Sequence, residues 1–248
     1  YKVEITEVTD ENGDGRIDLS DVEYLMRNKK NTMTLLEGDG DFRSPECVEL
    51  LKEADIVVTN PPFSLFRDYV ALLMQYNKQF AIIGNQNAIT YREIFPLIKS
   101  NKIWLGYNNG HYWFMVPDSY EEKKTDFKID ESGQKWRRMG NICWFTNLDI
   151  EKRHEDMTLF RTYSPDIYPK YDNYDAIEVS KTADIPCDYD GYMGVPITFM
   201  QYYNPEQFEI AGLDDHRVEW VGHGPRLNGK VKYRRVIIRR KQVNINEN

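Results

Sequence analysis

Asn60-Pro61-Pro62-Phe63 is the densest set of groups in this chain that could do chemistry. The Asn60 side chain offers an acceptor oxygen, and the Pro61 carbonyl offers a second one. The two prolines fix the backbone and remove its donors, and Phe63 adds a flat apolar face. Together they suit a planar base that carries an exocyclic amine. An aromatic amine is a poor nucleophile because its lone pair is delocalised into the ring. Two acceptors aimed at its hydrogens pull the nitrogen towards tetrahedral geometry and free the lone pair for in-line attack on a methyl group. A stiff backbone keeps the carbonyl preorganised for that task. A base handled in this way must first leave the duplex. The plainer alternative is an ordinary strand-ending turn with two prolines.

The elements around the turn follow from periodicity. Residues 1–9 alternate as a strand, and 10–21 form a loop rich in Asp and Gly, followed by a short helix from Asp21. Thr32 to Leu36 reads as a short strand. Ser44-Pro45-Glu46 opens a helix, with Ser as the N-cap and Pro at the first position. Asp55 to Thr59 reads as an apolar strand about Ile56, Val57 and Val58, as expected of a parallel strand covered on both faces. Leu65 to Tyr76 is an amphipathic helix and Gln79 to Gly84 another apolar strand. Tyr91 to Lys99 is a helix kinked at Pro96, and Ile103 to Leu105 a further strand. Strands alternating with helices imply an α/β fold with a parallel sheet, in which ligands bind outside the carboxyl ends of the strands. Asp41, Asn60 and Asn85 all lie just past strand ends. From about Gly106 the chain turns β-rich and irregular, with short strands at 111–116, 141–147, 176–179, 208–213 and 230–239. Residues 123–135 read as a mobile hairpin or loop.

A chain of 248 residues with 41% apolar content has enough core for one large domain or two small ones. No apolar run reaches the roughly 20 residues of a membrane span. Tyr1 opens inside an alternating strand, so further N-terminal sequence is expected ahead of it. Cys47, Cys143 and Cys187 lack a CxxC spacing and read as free cytosolic thiols. His111, His154, His216 and His223 are scattered outside any metal spacing. A net charge of -8 argues against nonspecific nucleic-acid binding only until its segregation is noticed. Lys230 to Lys241 holds Lys232, Arg234, Arg235, Arg239 and Arg240 with no acid. It is either a phosphate-contacting ridge or a solvated edge strand with Val231, Tyr233, Val236 and Ile238 as its buried partners. Lys135-Trp136-Arg137-Arg138 is a second basic patch suited to phosphate. Trp104, Tyr107, His111, Tyr112, Trp113 and Phe114, beside Asn108-Asn109-Gly110, could read bases or pack as core.

A different chemistry is spelled by residues 10–21. Asp10, Asn12, Asp14, Asp18 and Asp21 fall at positions 1, 3, 5, 9 and 12 of an EF-hand calcium loop. Gly15 stands at position 6, and Arg16 at position 7, where the template uses a backbone carbonyl. The entering element is a strand and the last ligand an Asp, so the expectation is a single structural calcium loop. The alternative is an Asx-rich surface turn.

The Asn-Pro-Pro-Phe motif, with the stretches 38–44, 50–67, 82–91, 140–149 and 171–177 and the basic end, resembles the EcoRI-type adenine-specific DNA methyltransferases over nearly the whole chain. The resemblance implies a Rossmann-like methyltransferase sheet, partial here, in residues 1–105, with the 10–21 loop as an insertion. A β-rich target-recognition region would follow at 106–248. It implies methyl transfer from S-adenosylmethionine to the N6 amine of a flipped adenine in double-stranded DNA, in a cytoplasmic restriction-modification setting, with a monomer favoured. Asn60, Pro61, Pro62 and Phe63 would be catalytic. Asp41 and Phe42 would touch the cofactor adenine, and Glu4 or Glu7 its ribose. Arg137, Arg138, Lys232, Arg234 and Arg235 would meet DNA. The departure is the lack of a Gly-rich, strand-following loop for the methionine end of the cofactor. Methylation of a glutamine amide and a calcium-stabilised DNA-binding fragment without catalysis stay open as alternatives.

Overall fold

The computed structural model describes residues 1–27, 32–214 and 224–241. The chain divides into two compact units, Tyr1–Asp55 and Ile56–Asn248. The first holds β1 (Lys2–Glu4), α1 (Leu19–Arg27), β2 (Thr32–Thr34) and α2 (Pro45–Glu53). β1 and β2 pair antiparallel, Lys2 opposite Thr34. The strand expected over residues 1–9 stops at Glu4, because β2 offers only three partners and the Asp-rich loop follows. α2 begins as the sequence reads: Ser44 Oγ accepts from the Cys47 N–H at 3.2 Å, with Pro45 in the first turn, where its missing donor costs nothing.

The second unit opens with β3 (Ile56–Thr59), α3 (Phe66–Gln75), β4 (Gln79–Asn85) and α4 (Phe95–Lys99). β3 and β4 are parallel and in register from Ile56–Gln79 to Thr59–Ile82. α3 buries Phe66, Val70 and Leu73, one stripe at helical spacing. The helix expected over 91–99 starts only at Phe95. Pro96 sits in its first turn rather than at a kink, where no backbone hydrogen bond is lost.

Then come β5 (Trp104–Met115), β6 (Phe127–Ile129) and β7 (Lys135–Thr146). β7 runs antiparallel to both β4 and β5 and lies between them, giving the order β3-β4-β7-β5 with β6 beside β7. The sheet is therefore mixed rather than parallel, within a mixed α/β fold. Nor is β3 covered on both faces: Ile56 and Val58, two residues apart, are 49% and 66% exposed. The segment 123–135 holds β6 and its turn into β7, the hairpin of the two alternatives. β5 runs through the functional boundary expected at 105/106.

The remaining strands are β8 (Ala176–Glu178), β9 (Tyr192–Val195), β10 (Phe208–Leu213), β11 (Arg226–Leu227), β12 (Lys230–Val231) and β13 (Val236–Arg240). Four of them form a second sheet, β10-β13-β9-β8, and β11 pairs with β12 as a separate ribbon. Ile177, Met193, Val195, Phe208, Val236, Ile237 and Ile238 are fully buried in this sheet. Each such side chain stabilises by roughly 1.5–3 kcal/mol. β13 is a central strand, so the reading of 230–239 as one edge strand is corrected: its first residues belong to the ribbon, and Val231 and Tyr233 are exposed. Among the described residues no helix is long and apolar enough to cross a membrane.

Candidate functional site

The Asn60–Phe63 turn caps β3. Thr59 is the last strand residue, a 3₁₀ turn covers Phe63–Leu65, and α3 begins at Phe66. Asn60 is exposed, Pro61 buried and Phe63 42% exposed. Among the described residues the Asn60 side chain and the Pro61 carbonyl have no hydrogen-bond partner, whereas the next carbonyl, Pro62, accepts from the Leu65 N–H at 2.9 Å. The turn thus leaves two acceptors and an aromatic face unengaged at the carboxyl end of a parallel strand, where such sheets bind ligands.

Packing fixes this turn from below. Gly84 of β4 leaves room for Phe66, and a Cβ at that position would lie 2.5 Å from the Phe66 ring and 2.9 Å from Phe145. The two rings meet at 4.9 Å and 59°. Asn85 is beside the turn, as the parallel register requires, yet its side-chain oxygen is occupied. It accepts from the Asn87 N–H at 2.9 Å and caps the 3₁₀ turn Gln86–Thr90. The neighbouring Gln86 was not singled out by sequence. It is buried, and its Nε2 has no hydrogen-bond partner among the described residues. The amide-rich triplet 85–87 after an apolar strand was the available signal.

The expected cofactor residues lie in the first unit. Asp41 falls seven residues beyond the end of β2, in a turn, rather than just past a strand. Arg43 grips both its oxygens, Nε on Oδ1 at 2.9 Å and Nη2 on Oδ2 at 2.7 Å, and its backbone N–H adds a third bond. This side-chain hydrogen bonding holds the Asp41 carboxyl at about 2. The Arg43 guanidinium also lies 5.3 Å from the Phe42 ring centre. Glu4 is exposed on β1 and pairs with Lys2 at 3.5 Å. These residues match an adenine nucleoside in type, but Arg43 already engages Asp41 and Phe42, so no cofactor cradle is formed by them alone.

The calcium loop turns its acceptors onto its own backbone. Asp10 accepts from the N–H groups of Gly13, Asp14 and Gly15, Asn12 from Asp14, and Asp14 from Arg16. Asp21, the twelfth residue, is fully buried and accepts from Glu11, Asn12 and Asp18. The Asp18 N–H, before the other two, lowers its pKa. Among the described residues, no group of three or more acidic, His or Cys side chains is arranged to hold a metal ion. The expected ligands Asp10, Asn12, Asp14, Arg16, Asp18 and Asp21 thus form an Asx-braced loop rather than an arranged calcium site.

The basic residues divide sharply. Arg235, expected on the DNA-contacting ridge, is 12% exposed and locked to Glu178, itself 4% exposed, by a 2.6 Å ion pair. Tyr171 donates to the other Glu178 oxygen. Arg137 donates to the Asp126 carbonyl, and Arg138 to the Asp126 carboxylate at 2.6 Å, so both brace β7 against the 125–126 turn. Lys232 and Arg234 remain exposed. The aromatic cluster also splits. Trp104 packs under Arg153 at 3.8 Å and donates to the Leu148 carbonyl, while Trp113, Phe114 and Tyr107 are exposed. Lys128 lies 4.8 Å from the Trp113 ring centre. His154 bridges Asp149, at 2.8 Å, and Glu206, which raises its pKa and gives it a structural part. His216 and His223, and the side chains of Asn108, Asn109 and His111, lie outside the described residues. The three cysteines are free, and burial pushes the Cys143 thiol up to about 12.

Comparison with known proteins bears on all of this. A family model described as adenine-specific methyltransferase EcoRI matches residues 1–241. The Type II methyltransferase M.EcoRI of Escherichia coli is 51% identical over 214 residues, which span 83% of this chain and 64% of that protein. The Type II methyltransferase M.MgeORF184P of Mycoplasma genitalium is 42% identical over 240 residues, 89% of this chain and 75% of the relative. The Type II methyltransferase M.MpnI of Mycoplasma pneumoniae is 41% identical over 229 residues, 84% and 70% respectively. No solved structure matches the chain.

Proposed function

Because the chain belongs to the adenine-specific methyltransferase EcoRI family, we propose that it methylates the N6 amine of an adenine flipped out of double-stranded DNA, in a restriction-modification setting in the cytoplasm. The observation that carries this reading is the pair of unengaged acceptors, Asn60 Oδ1 and the Pro61 carbonyl, beside the exposed ring of Phe63 at the carboxyl end of β3. S-adenosylmethionine, the donor the family implies, would supply an electrophilic methyl group on a sulfonium.

Asn60 and Pro61 accept from the two amine hydrogens and free the nitrogen lone pair, while Phe63 stacks on the base. One N–C bond forms as the donor's S–C bond breaks. The nitrogen, now cationic and strongly acidic, releases a proton to water, so the step needs no base beyond the acceptors. Pro62 and the buried Pro61 hold the carbonyl in place, so that little reorganisation accompanies transfer. Within the same proposal, residues 1–105 contain the methyltransferase part of the chain and 106–248 contribute target recognition. The protein acts as a monomer, and Asp41 and Phe42 meet the cofactor only if Arg43 yields.

The test offers tritiated methyl donor with duplex DNA and, separately, with protein carrying glutamine. The expected product is N6-methyladenine, identified by mass spectrometry of the digested duplex. Label in glutamine and none in DNA would overturn the reading.

A further inference from the structure

Residues 224–241 contain Arg226, Lys230, Lys232, Arg234, Arg235, Arg239, Arg240 and Lys241 and no acid. Folding engages part of this charge: Arg235 on Glu178, Arg239 on Glu209 at 2.7 Å, and Arg240 on the Cys187 carbonyl. Arg226, Lys230 and Lys232 are exposed and have no acidic partner among the described residues. Arg234 meets only a neutral hydroxyl, that of Thr90, at 3.0 Å. Thr90 ends the 3₁₀ turn that follows β4, the strand adjacent to β3, which ends just before Asn60. Arg234 thus ties this basic segment to the turn that follows β4.

Their shape is as specific as their charge. β11 and β12 form an antiparallel ribbon, Arg226 opposite Val231 and Leu227 opposite Lys230, and the Lys232 N–H extends it by donating to the Pro225 carbonyl at 2.7 Å. Asn228 and Gly229 make the tip with φ of 51° and 74°, the left-handed pair that a two-residue hairpin turn requires. So short a hairpin is marginal on its own. Here the segment 172–173 splints it. The two Asp172 oxygens accept from the N–H groups of Asn228, at 3.1 Å, and Gly229, at 2.7 Å, and the Asp172 N–H donates to the Arg226 carbonyl. Asn173 accepts from the Arg226 N–H and donates to the Gly224 carbonyl. The splint holds the ribbon in one conformation, and a ribbon that presents Arg226, Asn228 and Lys230 to a ligand gains from being preorganised.

We propose that this ribbon enters a groove of duplex DNA beside the target adenine. The ribbon enters tip first: Asn228 meets base edges, Arg226 and Lys230 reach edges from the two opposite faces on which the register puts them, Lys232 and Arg234 meet phosphates, and Asp172 and Asn173 are positioning residues. The inference rests on the proposed function and adds to it the element that reads sequence. The major groove admits a two-stranded ribbon, Arg and Lys pair with guanine edges, and Asn pairs with adenine.

The experiment uses the full chain and the double variant Arg226→Ala/Lys230→Ala. Plasmid DNA free of adenine methylation is modified, and methylated sites are mapped by single-molecule sequencing. Binding to a duplex is measured across a salt series. The parent should modify one motif. The double variant should relax at one or more positions of it, with cognate preference falling by about 5–150-fold per lost contact. Asp172→Asn should relax the same positions while melting near the parent, a change that loss of stability alone does not produce. Lys232→Ala should weaken all duplexes alike and flatten the salt slope by about 1. If Ala variants misfold by circular dichroism, Arg226→Gln/Lys230→Gln replaces them. An unchanged motif together with an unchanged salt slope in a folded double variant overturns the ribbon while leaving the methyltransferase reading intact. A parent that modifies no adenine in DNA defeats that reading, and the salt slopes of binding still decide whether the ribbon touches the duplex.

Discussion

The segments Asn60–Phe63 and Asp10–Asp21 both follow a functional template, the second with Asp in place of Glu at its last position, yet the fold treats their acceptors in opposite ways. In the first, two prolines remove the N–H groups that could have satisfied Asn60 and the Pro61 carbonyl, so the acceptors stay available. In the second, glycines with φ of 76° and 80° at Gly13 and Gly15 let the backbone curl back. Its N–H groups then fill the carboxylates of Asp10, Asp14 and Asp21. A template identifies which groups a segment carries. The local supply of backbone donors decides whether those groups are left for a ligand.

The largest expected effect comes from deleting a free acceptor. Asn60→Ala should lower methyl transfer by at least about 10²–10³-fold, the loss typical of one preorganised polar group, with duplex binding retained. Radiolabel incorporation and a binding titration on the same preparation measure the two effects. Near-parental transfer would erase the contrast between the two segments.

The same contrast recurs between adjacent residues in the basic run. Arg235 is engaged inside the second unit and Arg234 is exposed. Arg235→Ala strands Glu178, buried with Tyr171 on its other oxygen, and should cost about 3–5 kcal/mol of stability. Arg234→Ala should cost less than about 0.5 kcal/mol while weakening duplex binding. Urea unfolding of the two variants separates them, and equal midpoints would mean that burial does not distinguish the neighbours.

Gly84→Ala probes what keeps the turn open. The new Cβ would press into the Phe66 and Phe145 rings, both fully buried, and overpacking of this kind costs about 1–3 kcal/mol. Because Phe66 starts the helix that leaves the turn, transfer should fall along with stability. The parent's rate in a variant with a lowered melting temperature would show that the turn is held by something other than Phe66.

Sequence made the local elements legible where one residue type decides them. Ser44-Pro45 gave the start of α2, and the apolar runs gave β3 and β4. What periodicity could not convey was partnership over distance. β7 inserts between β4 and β5 from some sixty residues downstream of β4, which turns an expected parallel sheet into a mixed one. Arg235 looks like its neighbour until Glu178 is brought to it across 57 residues. The turn at 60–63 was legible because its chemistry is contained in four consecutive residues. The ribbon was not, because its splint at Asp172 and Asn173 is remote and its own strands are two residues long.

The smallest effect belongs to the acidic loop. With the carboxylates of Asp10, Asp14, Asp18 and Asp21 turned towards backbone N–H groups, removal of divalent metal by EDTA at neutral pH should leave the melting curve where it is. Acid should not. The Asp18 N–H, followed by those of Glu11 and Asn12, stabilises the ionised Asp21 and lowers its pKa below that of the unfolded chain. Its contribution is therefore fully present above the ordinary carboxylate range near 4 and fades as pH falls through the lowered folded value. Asp21→Asn, which keeps the shape but not the charge, should flatten that part of the acid limb and leave the EDTA result unchanged. A melting temperature that rises with added calcium in the parent and not in the variant would mean that the loop opens to bind an ion. The two segments would then differ only in how readily their acceptors are released.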